Sequence, residues 1–384
     1  MDFTSWMAPC PRRRGGGPDV ALACGLRGYG ALAMVTVTGR AQKDAWARRE
    51  LPPVEQVRPG LWSVPVPIPI NPLRYVLVYV LELGSTVALV DAGWDTAEAW
   101  DALVSGLAEL GAAVGDVAAV VVTHIHPDHY GLAGRVREAS GAWIGLHPAD
   151  ASLLRDRYED VDGLVDSMRE LLTVCGTPAG QLPDLAEASM QIRSFVSMAP
   201  PDRLLGDNEL LDLPGWDLRT VWTPGHSPGH LCLYSDARRV LLSGDHVLPR
   251  ITPNISFHSQ QVPNPLGDYL DSLARVRLLD PEEVLPGHEY RFGGLAARVA
   301  EIERHHAARL AEIELALERR PGATVWDLAT SLEWSRPWDE MPAFLQRAAN
   351  GETLAHLVLL ERRGRVRRRR EVPARFYATG PPSS

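Results

Sequence analysis

Residues 117–129 read Val-Ala-Ala-Val-Val-Val-Thr-His-Ile-His-Pro-Asp-His, an apolar run that hands over at once to three histidines and an aspartate. A short valine-rich run closed by a polar, proline-containing cluster reads as a buried strand feeding a loop. Imidazole nitrogens and carboxylate oxygens crowded onto one such loop are the donors that a borderline cation such as zinc selects. The feature limits the fold, because a metal loop at a strand end needs a sheet to carry it and other strand ends to supply the remaining donors.

Those other ends are present. Thr223-Pro224-Gly225-His226 and Leu285-Pro286-Gly287-His288 repeat one design, in which a strand ends, proline and glycine turn the backbone and an imidazole projects. Ser243-Gly244-Asp245-His246 presents a carboxylate in the same manner, and Asp91 closes an earlier strand, placed to orient a ligand histidine. His246 follows Asp245 directly, so alternation turns it away from the donors into a structural role. His147, before Pro148, reads as a turn residue.

Around these loops the pattern alternates strand and helix. Leu61–Val64, Tyr75–Leu83 and Thr86–Val90 read as strands, Asp95–Leu110 as a helix, Val117–Val122 as the strand before the ligand loop, Gly131–Ala139 as a helix and Ala142–Leu146 as a strand. Strands resume at Leu218–Trp222, His230–Tyr234 and Val240–Leu242. A helix over Leu266–Leu279, a strand at Val284-Leu285 and a long helix over Gly293–Arg319 follow. Between the halves, Leu154, Tyr158, Val161, Val165, Met168 and Leu172 form one helical stripe, and Pro183–Val196 suggests a second helix. The 150–200 region is therefore a helical insertion between ligand segments, placed to cap a pocket.

The constellation resembles the metallo-β-lactamase superfamily, with its HxHxDH motif and later His, Asp and His on strand-end loops, over about residues 55–300. The resemblance implies an α/β fold, a four-layer αββα sandwich, over residues 51–300. It implies that His124, His126 and His226 hold one metal, that Asp128, His129 and His288 hold a second, and that Asp245 bridges them. Asp128 and Asp245 would also be the catalytic carboxylates. The cofactor is then two divalent ions, zinc first, with iron or manganese as alternatives. Two such cations about 3.5–4 Å apart can share a hydroxide generated from water at neutral pH, which serves as the nucleophile.

Asp245 stands where β-lactamases of the group usually carry cysteine or serine, and His126 where flavodiiron proteins carry glutamate. The TPGHSPGH and SGDH segments look more like the glyoxalase-II-like and lactamase-like endoribonuclease branches. The leading expectation is a hydrolase acting on a small-molecule ester or thioester. A metal-dependent endoribonuclease acting on single-stranded RNA and a mononuclear-iron thiol dioxygenase are the alternatives. Tyr130, Arg250 and His258 are the candidate substrate contacts.

Thr324–Leu332, Glu352–Glu361, Arg365–Arg367 and Ala374–Ala378 read as helix, helix and hairpin, an order that resembles the winged-helix appendage of the lactamase-like endoribonuclease branch, and the resemblance implies a helical linker and a winged-helix-like domain over residues 301–384. Seven arginines between Arg362 and Arg370 are the feature that keeps RNA open, as a phosphate-tracking surface. The formal net charge of −9 otherwise disfavours a general nucleic-acid binder. Cys10, Cys24, Cys175 and Cys232 form no CxxC pair, which suits a reducing, cytoplasmic setting. No apolar run reaches about 18 residues, so no membrane span is expected. Residues 1–50 are expected to be disordered or an extension, with Met34 as a natural start.

Overall fold

The segment Tyr75–Glu82 shows how the sequence builds this molecule. Side chains alternate across a strand, so Val76, Val78 and Val80 enter one apolar cluster while Tyr75, Leu77, Tyr79 and Leu81 enter another. Both faces are buried, which explains why the segment reads as an unbroken apolar run. A computed structural model describes residues 34–379 except Ile70 and Ser189, and the side chains of Gln191 and Ile192 are likewise left aside.

Among the described residues, two large sheets face each other. The first has seven strands in chain order: Glu55–Arg58, Leu61–Pro67, Tyr75–Glu82, Val87–Val90, Val117–Val121, Trp143–Leu146 and Arg203–Leu204. It is antiparallel through Val87–Val90 and parallel from there on. The second has six, ordered Thr36–Val37, Phe292–Gly293, Glu283–Pro286, Val240–Gly244, Leu231–Ser235 and Leu218–Trp222. Leu77, Leu81, Val121, Leu231, Leu233 and Leu285 fill the space between the sheets. A second core lies under the helix Ala97–Glu109, through Ala99, Leu103 and Leu107, and a third under the helices Pro265–Val276 and Leu295–Arg319. Helix, sheet, sheet, helix is the αββα layering that the family resemblance implied.

The expectation that the fold begins near residue 50 is corrected. Thr36–Val37 pairs antiparallel with Phe292–Gly293, and the helix Arg40–Arg48 buries Gln42 and Ala45. Gln42 Nε2 donates to Ser63 Oγ at 3.0 Å, and its Oε1 accepts the Arg291 N–H at 3.0 Å. A two-residue strand held by such remote hydrogen bonds has no periodicity to announce it. Residues 1–33 lie outside the described residues, and so does the question of a start at Met34.

The insertion also differs from its reading. The single stripe over 154–172 is two helices, Leu154–Tyr158 and Val161–Val174, because the Asp160 carboxylate accepts the Gly163 N–H at 3.1 Å and starts the second. Pro183–Val196 is a short helix, Leu182–Glu187, followed by 3₁₀ turns over Met190–Phe195.

Helix–helix–hairpin order is present in the tail, as Val325–Ala329, Ala343–Arg362 and the strands Val366–Arg369 and Arg375–Ala378. The tail helix Ala343–Arg362 is far longer than Glu352–Glu361, since it starts directly after Pro342 and runs through Asn350-Gly351, a pair whose low helix propensity hid it. Leu354, Leu357, Leu359 and Leu360 sit in the same core as Leu273 and Ile302, so the tail packs against the helices that cover the second sheet. The hairpin arginines are largely engaged: Arg365 pairs with Glu314 at 2.8 Å, Arg368 with Glu361 at 3.2 Å, and Arg367 and Arg369 lie over the Tyr377 ring. Among the described residues no helix is long and apolar enough to cross a membrane, and Cys175 and Cys232 are free and buried.

Leu357 is fully buried on the tail helix, whereas Leu278 is 81% exposed. Replacing Leu357 by alanine is expected to cost about 2–5 kcal/mol in denaturant unfolding, against a change within about 0.5 kcal/mol for Leu278→Ala. Equal effects would show that the tail helix does not share the core.

Candidate metal centre

Strand ends from both sheets deliver the donors to one place. The loop after Val117–Val121 carries His124, His126, Asp128 and His129, and the loops after Leu218–Trp222, Val240–Gly244 and Glu283–Pro286 carry His226, Asp245 and His288. Three sets of donor atoms, each mutually within 4.8 Å, result: His124, His126 and His226; His124, His129 and Asp245; and Asp128, His129 and His288. All seven residues anticipated as ligands are therefore brought together.

Asp245 lies between the sets. Its Oδ1 is 3.4 Å from His129 Nε2 and 3.3 Å from His288 Nε2, while Oδ2 is 3.6 Å from His226 Nε2. A carboxylate whose two oxygens face different imidazole groups is suited to bridging. Close approach of these groups depends on Gly287, where an added Cβ would lie 2.7 Å from His129 Cε1 and 2.8 Å from Asp245 Oδ1. Only a residue without a side chain lets the two loops meet.

Hydrogen bonds fix which ring nitrogen is free. His288 Nδ1 donates to the Tyr75 carbonyl at 2.8 Å, His226 Nδ1 to the Asn254 carbonyl at 3.0 Å, and His129 Nδ1 to Asp91 Oδ2 at 2.7 Å. A carbonyl or carboxylate can only accept, so Nδ1 carries the proton and Nε2 is left facing the centre. The Nε2 atoms of His129, His226 and His288 and Oδ1 of Asp245 are buried and have no hydrogen-bond partner. Buried orphans of this kind are costly unless something else binds them. His124 Nε2 and His126 Nδ1, moreover, approach to 2.9 Å. The donor set fits divalent cations in number, type and orientation.

Electrostatics separate the two groups of imidazoles. Burial, helped by neighbouring histidines, holds His124 and His126 well below the ordinary imidazole range. Burial acts the same way on His129 and His288, but the carboxylates Asp91, Asp245 and Asp128 outweigh it. They raise His129 well above its usual value and His288 to about 10. Asp245 is held well below the carboxylate range, because His288 and His129 overcome its burial. Protons and cations therefore compete for this side of the centre.

Two buried carboxylates brace the loops. Asp91, in a left-handed backbone conformation at φ 66°, accepts the Thr123 N–H at 2.7 Å and the Thr123 hydroxyl at 3.0 Å besides His129, as its place at a strand end suggested. Asp150 was not foreseen. It accepts the Ile125 N–H at 2.9 Å, the Ser227 hydroxyl at 2.7 Å and the Gly229 N–H at 2.6 Å, tying the first ligand loop to the loop of His226. The available signal was its position, since Asp150 follows the strand Trp143–Leu146 as the ligands follow theirs. His230 was also missed. Its Nε2 accepts the Asp245 N–H at 3.2 Å, so its Nδ1 carries the proton to Thr223 Oγ1 at 2.8 Å.

A cavity of about 330 Å³ opens at the donors, lined by His126, Asp128 and His226 from the loops, Leu164, Met168 and Leu171 from the insertion, and Phe344, Arg347 and Leu354 from the tail helix. His258 lines it as expected and is a neutral imidazole, lowered to about 3 by burial and by Arg157 and Arg347. Tyr130 and Arg250 are not in its wall. The Tyr130 hydroxyl is buried, pairing with the backbone N–H and carbonyl of Ala199, and Arg250 is held by the buried Glu289 at 2.9 Å. His246 is buried edge-on against Tyr269 at 5.1 Å, in the structural role assigned to it. His147 caps the short helix Pro148–Ala151 and stacks on Trp222. Asn254 lines the cavity with its Nδ2 buried and unpartnered, a donor that nothing in the sequence singled out.

Opposed sheets with His and Asp donors converging at their strand ends define the class as a metallo-hydrolase fold. Residues 71–288 match the sequence profile of the Metallo-beta-lactamase superfamily, and the chain belongs to that family. It is 27% identical over 309 residues to the probable metallo-hydrolase YqjP of Bacillus subtilis, covering 78% of this chain and 90% of that protein. Over 180 residues it is 31% identical to the human acyl-coenzyme A thioesterase MBLAC2, covering 45% of this chain and 56% of that protein. Among solved structures, the metallo-beta-lactamase family protein TTHA1429 from Thermus thermophilus superposes with a TM-score of 0.74 at 34% identity, covering 84% of this chain and all of that one. A beta-lactamase domain protein from Burkholderia ambifaria gives 0.74 at 26% identity, covering 90% and 98%.

Asp150→Ala leaves two buried backbone N–H groups without an acceptor, each worth about 1–3 kcal/mol. The variant is expected to lose both unfolding stability and metal content, the latter measured by plasma mass spectrometry. Metal content equal to the parent protein would show that the tie between the loops does not set the centre.

Proposed function

We propose that the protein is a dinuclear metal-dependent hydrolase of thioesters, with oxygen esters as the related class, and that zinc is its first-choice metal. The observation that carries this is the cavity. An apolar chamber formed by the insertion and the tail helix opens onto the His126, Asp128 and His226 side of the donors, which suits an acyl chain whose carbonyl rests at the centre. The similarity to the acyl-coenzyme A thioesterase MBLAC2 supports the same reading. Asp128, His129 and His288 form a second donor set that a mononuclear-iron dioxygenase would not require. An RNA substrate has only the hairpin arginines in its favour, several of which are occupied by Glu314, Glu361 and Tyr377. A cytosolic setting agrees with the free thiols of Cys175 and Cys232.

Divalent cations at the donor set would supply Lewis acidity toward the carbonyl and lower the pKa of a water that attacks it. The protein supplies the rest. His124, His126, Asp128, His129, His226, Asp245 and His288 would hold the cations, with Asp91, Asp150 and His230 positioning these ligands. Asp128, whose carboxylate also lines the cavity, is placed to take the proton from the attacking water. Asn254, whose main-chain carbonyl holds the His226 ring, lines the cavity with an unpartnered Nδ2 that would donate to the carbonyl oxygen as charge develops on it. Apolar walls keep bulk water from the acyl chain.

Chelator-treated protein is expected to lose thioester hydrolysis and regain it on addition of zinc, and Asp245→Asn to lose metal and activity together. Full activity with a single bound metal would overturn the dinuclear assignment. Asn254→Ala should lower kcat about 10²-fold with little change in KM if its amide meets the developing oxyanion. A change in KM alone, seen in steady-state kinetics, would reassign it to ground-state binding.

A further inference from the structure

The charges in the cavity wall are one-sided. Among the described residues three arginines line it, Arg157, Arg193 and Arg347, and the single carboxylate in the lining is Asp128, which belongs to the donor set. They come from separate parts of the chain, namely the helix Leu154–Tyr158, the turns Met190–Phe195 and the tail helix Ala343–Arg362. Folding alone thus gathers them. Arg157 holds a neutral oxygen, Gln260 Oε1 at 3.4 Å, and Arg193 holds the Tyr158 carbonyl at 2.6 Å while its Nε is buried without a partner. Arg347 reaches the carbonyls of Leu185 and Ala186 at 3.4 Å, and burial together with the charge of Arg157 brings it down to about 10.

Guanidinium groups gathered in an apolar chamber carry a desolvation and repulsion cost that an entering anion relieves. Their planar forks match carboxylate and phosphate oxygens in pairs, which a dispersed lysine charge would not. The surrounding apolar wall, with Leu164, Met168 and Leu171, is suited to the hydrocarbon that joins such an anion to the reacting carbonyl. We infer that the cavity selects substrates bearing a negative group, a carboxylate or a phosphate, linked through an apolar stretch to the thioester, with Arg157, Arg193 and Arg347 as the anion site. This rests on the thioesterase reading for the reacting bond, whereas the anion site itself does not. The anion can sit on the acyl side, as a terminal carboxylate, or on the thiol side, as the phosphates of a carrier.

The test uses the full-length, metal-loaded protein and its Arg347→Gln and Arg193→Gln variants. Hydrolysis is compared for the neutral octanoyl thioester of N-acetylcysteamine, the suberoyl thioester of the same thiol, and octanoyl-coenzyme A. The parent protein is expected to prefer at least one charged substrate over the neutral one. In each variant the ratio of kcat/KM, charged to neutral, is expected to fall about tenfold, the size of one lost charge-assisted hydrogen bond. A fall for the suberoyl substrate places the anion on the acyl side, and a fall for the coenzyme A substrate places it on the thiol side. Equal losses on charged and neutral thioesters overturn the proposal.

Calorimetric titration with octyl phosphate and with octanol separates the two readings. Octyl phosphate should bind the parent protein tighter than octanol and lose about tenfold in affinity in Arg347→Gln, with partial rescue in Arg347→Lys. If no thioester is cleaved but this pattern holds, the hydrolase reading fails and the anion site stands. If thioesters are cleaved but octyl phosphate binds parent and variants alike, the anion site is overturned.

Discussion

Buried carboxylates that tie separate loops together hold this centre. Asp91 and Asp150 make no bond to a substrate, yet each gathers backbone and side-chain donors from segments far apart in the chain. Asp91 fixes Thr123 and the His129 ring, and Asp150 joins Ile125 to Ser227 and Gly229. The loops they brace leave the sheets at strand ends, where the backbone no longer satisfies its own hydrogen bonds and a side-chain acceptor must. Without these ties the ligand histidines would lie on loops free to move, and donors that must converge within a few ångströms would not stay converged.

Packing supplies the second constraint. The two sheets stack through a continuous apolar layer, and their strand ends point to the same edge because of that stacking. Gly287 lets the backbones of two loops close around Asp245 and His129 at a separation no Cβ would permit. On the outer faces, the long helix and the tail helix share one core, so the tail is both a stabilising layer and a wall of the cavity. Stability and the shape of the cavity are thereby coupled through residues such as Leu354, which sits in that core and in the cavity wall.

Much of the centre was legible in the linear chain. The strand ends that carry the expected ligands each show a local signal, an apolar run closing on a polar turn with projecting donors, and such signals survive in a single sequence because they are short-range. Asp91 was legible for the same reason. Asp150 had only its place after a strand to mark it and His230 only the second Pro-Gly-His of TPGHSPGH, since their work is to bind backbone groups of other loops that the sequence does not place. Tyr130 and Arg250 stand beside ligand loops but turn to Ala199 and Glu289 instead, a choice made by neighbours the sequence does not place. The N-terminal strand, held by Gln42 and a two-residue pairing, was invisible because it is too short to show a period.

By itself the sequence determined which segments are strands and helices and which strand ends carry His and Asp donors, because strand periodicity and turn chemistry act over a few residues, while the αββα layering and the seven-ligand set were implied by the family resemblance those motifs carry. Tertiary structure decided which nitrogen of each histidine faces the centre, since that depends on carbonyls such as those of Tyr75 and Asn254 brought in from elsewhere. It also decided that the insertion and the tail, separated by more than a hundred residues, meet to enclose one apolar, arginine-lined cavity beside the donors. Burial and charge in that chamber belong to the assembled fold, and no local pattern encodes them.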